Sequence, residues 1–304
     1  MKKLGVALTI VLALQCVTFA APAQKTFGSL DEAVNALVAA FRAADRKAMV
    51  EILGPQGNPL VWSGDDVADR SAFQRFVAAY DRAHRLEGGG GQVVLYVGED
   101  DFPFPIPLVH KGDAWSFDTE AGRQEVLYRR IGANELDTIQ VVLAYVDAQN
   151  EYADKDRGEG VGVYAQRVIS QPGKKDGLYW PTAAGEEESP LGELAAVASS
   201  EGYKARAGGE RSPFHGYYYK ILTRQGPAAQ GGVLDYVVKG KMIGGFALVA
   251  WPADYGNSGV MTFLVNHAGT VYEKDLGGRT DFIAQRTALF DPDQTWKKAD
   301  AANP

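Results

Sequence analysis

The residues best suited to proton transfer or metal ligation in this chain are His84, His110, His215 and His267. No two of them share an H-E-x-x-H or comparable spacing, so no pair is placed on one helical face for a metal. His84 falls at an expected helix end, where the dipole favours a cation, and His267 falls in an expected turn. Gly256-Asn257-Ser258-Gly259 approaches a serine nucleophile loop, but Val260 stands where G-x-S-x-G requires glycine. Asp154, Asp156 and Glu159 begin like a calcium loop. An EF-hand needs glycine where Glu159 stands, and Ala165 at the twelfth position cannot ligate. Gly158-Glu159-Gly160-Val161-Gly162 lacks dinucleotide spacing, and no P-loop is present. The single cysteine, Cys16, excludes thiolate zinc sites, iron–sulfur clusters and intramolecular disulfides. No catalytic residue, metal or cofactor is assigned on these grounds.

Aromatic residues are the more informative set. Tyr179, Trp180, Tyr217, Tyr218, Tyr219, Trp251 and Tyr255 gather in the second half of the chain, with His215 beside the tyrosine run. Three consecutive tyrosines on a strand cannot share one face. At least one must point to a second layer or to solvent. Tyr179, Trp180, His215, Tyr218, Trp251 and Tyr255 are therefore the candidate ligand-binding residues, able to stack on sugar rings or clasp an extended peptide. The competing reading buries them between sheet and helix with their polar tips satisfied.

The elements that would position these residues follow from periodicity and caps. Ser29 and Glu32 form a capping box ahead of a stripe at Leu30, Val34, Leu37, Val38 and Phe41. Asp45 caps a short helix that stops at Gly54. Ser71 and Gln74 suggest another helix start, with Phe73, Phe76, Val77 and Tyr80 as its stripe. Residues 92–97 read as a strand. Phe102, Phe104, Ile106 and Leu108 alternate with three prolines, the pattern of a protected edge strand. A helix over 120–131 is expected to stop at Gly132, and Asn134 to cap a longer one facing the core through Leu136, Ile139, Leu143 and Val146. Residues 216–223, 244–251 and 260–266 read as one antiparallel sheet, with Phe246, Leu248, Phe263 and Val265 inside. The fold class is α+β: a helical N-terminal part with a small antiparallel sheet, then a long helix and a C-terminal antiparallel β-meander.

Met1-Lys2-Lys3, an apolar run over 4–17 and Ala21-Pro22-Ala23 read as a signal peptide over residues 1–23. The run is too short to span a bilayer, so no stable membrane insertion is expected after cleavage. The product is expected to be periplasmic or secreted, with an α+β domain over 24–132 and a second over 133–304. With 31 Lys and Arg against 38 Asp and Glu, the formal charge of −7 argues against nucleic-acid partners.

Seven strings carry a resemblance. They are Asp176-Gly177-Leu178-Tyr179-Trp180-Pro181, Ser189-Pro190-Leu191-Gly192, His215-Gly216-Tyr217-Tyr218-Tyr219, Gln225-Gly226-Pro227, the run 244–250, the run 255–263 and the run 271–277. With the helices flanking them, they resemble the bacterial domain-of-unknown-function family 2950. The resemblance implies an exported bacterial protein and transfers no catalytic residue. More weakly, Asp147 to Ala153 followed by a Tyr/Gly-rich linker and a sheet is similar to a type IV pilin-like head, although a pilin's assembly helix would be N-terminal. The function expected is a non-catalytic binding or assembly role in the bacterial envelope, with a protein or glycan partner. The alternative is a periplasmic hydrolase whose site forms only in three dimensions.

Overall fold

A computed structural model describes residues 23–183, 185–204 and 211–299. The segment read as a signal peptide, and Cys16 with it, lies outside the described residues except for Ala23. The N-terminal part holds α1 (Leu30–Ala43), α2 (Arg46–Leu53), α3 (Asn58–Val61) and α4 (Asp66–Arg82). Its sheet follows, with β1 (His84–Gly89), β2 (Gln92–Val97), β3 (Phe102–Pro103), β4 (Leu108–Lys111) and β5 (Ala114–Phe117). The cap expected at Ser29 forms, with Glu32 N donating to Ser29 Oγ at 3.1 Å, while Glu32 Oε2 reaches one residue past the cap and accepts from Gly28 N at 3.0 Å. Phe41 stacks on Phe73 at 5.1 Å within the core these helices share with the sheet.

Two readings of this part are corrected. Helix α4 begins at Asp66, earlier than Ser71, because Asp65 Oδ1 accepts from both Val67 N and Ala68 N at 3.1 Å. The proline-alternating segment is an edge strand only in its first part: β3 pairs with β2 alone, whereas Leu108 belongs to β4, which has β2 on one side and β5 on the other. The missing proline amides break the segment into two short pairings instead of one long one.

Helix α5 (Thr119–Ala153) then runs unbroken for 35 residues. The stop expected at Gly132 and the cap expected from Asn134 are absent. Gly132 sits on the outer side of the helix with nothing within 4 Å of where its Cβ would stand. Asn134 instead donates from Nδ2 to the Ser258 carbonyl at 2.8 Å. Packing at both ends carries the helix through a residue that by itself disfavours it by only about 1 kcal/mol.

The second half contains α6 (Gly192–Glu201), β6 (Tyr217–Leu222), β7 (Arg224–Gln225), β8 (Leu234–Asp235), β9 (Val237–Val238), β10 (Lys241–Met242), β11 (Ala247–Pro252), β12 (Met261–Asn266), β13 (Tyr272–Asp275), α7 (Thr280–Arg286) and β14 (Lys297–Lys298). The main sheet is antiparallel in the order β14-β13-β12-β11-β6, so the three strands expected together are neighbours. The pairs β7–β8 and β9–β10 stand apart as small hairpin-like sheets. Phe246, Leu248, Phe263 and Val265 are all buried. Every residue of β11 is buried, since α5 covers one face of the sheet and α7 the other.

The buried seam of α5 is broader than the expected one. Ile139 and Val146 are buried as expected and Leu143 is half-buried against the same core, but Leu136 is 40% exposed, and Thr138, Val142, Tyr145, Gln149 and Tyr152 are buried as well. The contact line runs 135-138-142-145-149-152, a three–four alternation that includes polar residues. Each polar member has its partner: Glu135 Oε1 accepts from Val260 N and Met261 N at 2.9 Å, and Gln149 exchanges two bonds of 2.8 Å with the Ala165 backbone. Among the described residues no helix is long and apolar enough to cross a membrane.

Two substitutions test this architecture. Phe263, 1% exposed between Ala250 and Glu273 in register, should cost about 3–5 kcal/mol on truncation to alanine. Gly132→Ala should raise stability by about 0.5–1 kcal/mol if the helix is continuous there. Urea unfolding reads both, and a destabilised Gly132→Ala protein would mean that the helix breaks at 132.

Candidate functional site

Strand β6 ends the main sheet, and a cavity of about 610 Å³ lies beside it. Helix α5 contributes Val141 and Tyr145 to its wall. Helix α6 contributes Leu194, Ala195 and Ala198, and the segment before β6 contributes Arg211, Pro213 and Phe214. Tyr179, Tyr218 and Tyr219 add aromatic surface. The lining is mostly hydrocarbon and ring, with polar surface from Ser199, Ser212 and the tyrosine hydroxyls. Its charged members among the described residues are Lys204 and Arg211, both cations. Arg211 Nη1 is 2.8 Å from Asp281 Oδ1, and its guanidinium lies 4.8 Å over the Tyr218 ring.

At the border of the cavity the chain passes close to α5. His215 has φ +50° and Gly216 φ +74°. A Cβ on Gly216 would stand 2.5 Å from Asn134 Nδ2, so only glycine fits this approach. A left-handed histidine is uncommon and must be held by its surroundings. Here the holding groups are explicit. His215 Nδ1 is 2.8 Å from Asp137 Oδ2 on α5, and Nε2 is 3.0 Å from Glu201 Oε2 at the end of α6. His215 N donates to the Tyr203 hydroxyl at 3.2 Å, and that hydroxyl donates to Asp65 Oδ2 at 2.8 Å. Gly216 N donates to the same carboxylate oxygen at 3.0 Å. Asp65 is 1% exposed and therefore accepts from four donors, two at the start of α4 and two from the cavity border.

A ring that meets a carboxylate at each nitrogen has a hydrogen to donate at both only as imidazolium. Burial pulls the His215 pKa down, but Asp137 and Glu201 more than offset it, and the value rises above the ordinary 6.5. The Tyr203 phenol is pushed up by burial and by the Asp65 charge, so it stays protonated and remains a donor. The Phe214 ring stands edge-on to both, with centroids 4.9 Å from Tyr203 and 4.2 Å from His215.

The six candidate residues separate. Tyr179 and Tyr218 line the cavity, and His215 borders it. Trp180 is buried in the C-terminal core, with Lys175 Nζ 5.2 Å over its ring. Trp251 is also buried; its indole donates to Asp281 Oδ1 at 3.0 Å. Tyr255 sits in the β11–β12 loop and donates to Asp275 Oδ2 at 3.2 Å. The tyrosine run divides as a strand demands. Tyr217 and Tyr219 reach α5-side partners at Glu135 and Thr138, while Tyr218 pairs with Trp251 toward α7. Asp65, Asp137, Glu201, Tyr203 and Phe214 were not singled out from sequence. Asp65 had a signal, an aspartate ahead of a helix. Asp137, Glu201 and Tyr203 had none, because their partners lie 12 to 138 positions away.

Other motifs are used structurally. Ser258 is fully buried, its Oγ accepting from Asp254 N at 2.9 Å. Asp156 Oδ1 accepts from Gly158 N and Gly160 N at 2.8 Å, which closes its own turn and holds its carboxyl below the usual range.

Tyr203→Phe removes one of four donors from a buried carboxylate and the acceptor for His215 N. It should cost about 1–3 kcal/mol in chemical denaturation. A loss within experimental error would mean that the Asp65–Tyr203 bond does not hold the cavity border.

No curated protein and no solved structure matches the chain, so the pilin-like head remains an expectation of the sequence. A family model described as a protein of unknown function, DUF2950, matches residues 24–299. The matched span takes in both cores, the cavity and its histidine border, and the chain belongs to the DUF2950 family.

Proposed function

We propose that this is an exported, non-catalytic binding protein of the bacterial envelope, whose cavity beside β6 holds an amphiphile with an apolar body and an anionic end. The observation that carries the reading is the lining: hydrocarbon and aromatic surface around about 610 Å³, with Lys204 and Arg211 as its charged groups among the described residues. That size and character suit a small-molecule site. Each methylene buried there contributes about 0.8 kcal/mol, whereas an exposed cation–anion pair contributes about 1 kcal/mol or less. The body therefore sets affinity and the head sets orientation. Export rests on the basic and apolar pattern of residues 1–23.

A hydrolase acting through His215 as base would need a ring nitrogen free to take a proton; both are engaged by carboxylates, which speaks against that one route.

Fluorescence of cis-parinaric acid, a polyunsaturated fatty acid, tests the proposal. The native protein should bind the acid and bind its methyl ester about ten-fold more weakly. Ala198→Trp, which projects a large ring from α6 into the cavity, should weaken the acid by at least about ten-fold with the fold intact by circular dichroism. Absence of binding to the native protein, or equal binding by Ala198→Trp, would overturn the reading.

A further inference from the structure

Helix α6 is the most lightly held wall of the cavity. None of its ten residues is fully buried, and its inner stripe of Leu194, Ala195 and Ala198 faces the cavity. Its two ends are held differently. At the start, buried Leu191 donates from N to the Leu178 carbonyl at 3.0 Å and anchors the helix to the core. At the far end the hydrogen bonds are Glu201 to His215 and Tyr203 to Asp65, beside the edge contact of Tyr203 with Phe214 and the approach to α4.

We propose that the Asp137–His215–Glu201 clasp is a proton-operated latch, closing α6 over the cavity while the imidazole carries two hydrogens and releasing it when one leaves. This regulates the site of the binding reading above and rests on it. The argument is one of hydrogen count. Imidazolium donates to both carboxylates. A neutral ring has one N–H, so one carboxylate would face a lone pair. Asp137 sits on the long, doubly packed α5, whereas Glu201 sits on the lightly held α6. Release therefore falls on α6. The left-handed backbone at His215 adds a standing cost that the clasp offsets.

The groups facing the ring are Asp137 from α5, Glu201 from α6 and Tyr203 from the segment after it, with Asp65 behind Tyr203. Lys204 and Arg211 border the same cavity. The Tyr203 phenol is pushed up and does not titrate with the ring. A histidine whose folded pKa is raised stabilises fully below its ordinary value of 6.5, and this contribution is lost as pH rises through the higher folded value. The latch is thus shut at mildly acidic pH and opens toward alkaline pH.

Hydrogen exchange of residues 192–203 in the full chain, corrected for intrinsic rates, tests the latch without any ligand. Protection should fall by about ten-fold more between about pH 6 and about pH 8.5 than it does in strands β11 and β12 of the main sheet. Glu201→Gln is the decisive variant. Its amide can donate to the lone pair of a neutral ring, so α6 should stay protected at both pH values. Equal protection of native α6 at both, or an undiminished pH effect in Glu201→Gln, would overturn the latch. Binding of the neutral dye N-phenyl-1-naphthylamine separates the two proposals. Exchange that follows pH while the dye binds at neither pH upholds the latch and overturns the binding reading. Dye affinity and α6 exchange that both ignore pH leave the binding reading standing and overturn the latch.

Discussion

One helix must satisfy two cores, and the rest of the structure depends on that constraint. At 1.5 Å per residue, α5 is about 52 Å long. Its first turns pack against the N-terminal core through Gly122, Val126 and Leu127, and its last turns lie on the C-terminal sheet. Between them stands Arg130, half-buried, whose guanidinium donates to the Pro59 and Leu60 carbonyls and to Asn257 Oδ1. Asn257 in turn donates to the Trp62 carbonyl at 2.9 Å. Burial pulls the arginine pKa down, against the charges of Asp69 and Asp254 that hold it up. A planar group with five donors joins carbonyls from one half to a loop of the other, which a lysine could not do in this geometry.

The candidate site inherits its rigid side from this helix. Asn134 and Glu135 fix the β11–β12 loop and the start of β12 one turn beyond Arg130. Asp137 follows, then Val141 and Tyr145 in the cavity wall. The opposite wall is of another kind. Helix α6 has a cavity along much of its apolar stripe; Leu191 and Leu194 hold its start on the C-terminal core, and its far end meets Asp65 and His215 through Tyr203 and Glu201. Asp65 belongs to the N-terminal half, which ties the start of α4 to the cavity border. An aspartate that caps one helix and receives two donors from the second half couples the two halves through a single buried carboxylate.

The fold was legible wherever apolar periodicity or caps carried it. Ser29, Asp45 and Gly54 bound the first two helices, and the alternation at 246/248 and 263/265 set the register of the central strands. It failed where a polar residue occupied a buried place. Leu136 looked like core because it is leucine, yet Glu135 and Thr138 hold the seam, satisfied by amides and a hydroxyl on the sheet. Gly132 looked like a boundary because local propensity disfavours helix there, and packing outweighs that cost of about 1 kcal/mol. The three prolines marked an edge, and β3 does pair on one side only, but the chain then enters β4 inside the sheet.

The sequence by itself determined the α+β class, the antiparallel C-terminal meander and a chemistry poor in metal ligands and nucleophile motifs, because caps, alternation and residue counts are local or additive. Tertiary structure decided the site. Tyr179 and Tyr218 line a cavity while Trp180 and Trp251 are buried, although all four are aromatic residues beside strands and turns. His215 meets Asp137 and Glu201 across 78 and 14 positions, and Tyr203 meets Asp65 across 138. No spacing rule reaches that far. Such contacts exist only once α5 has fixed the distance between its two cores.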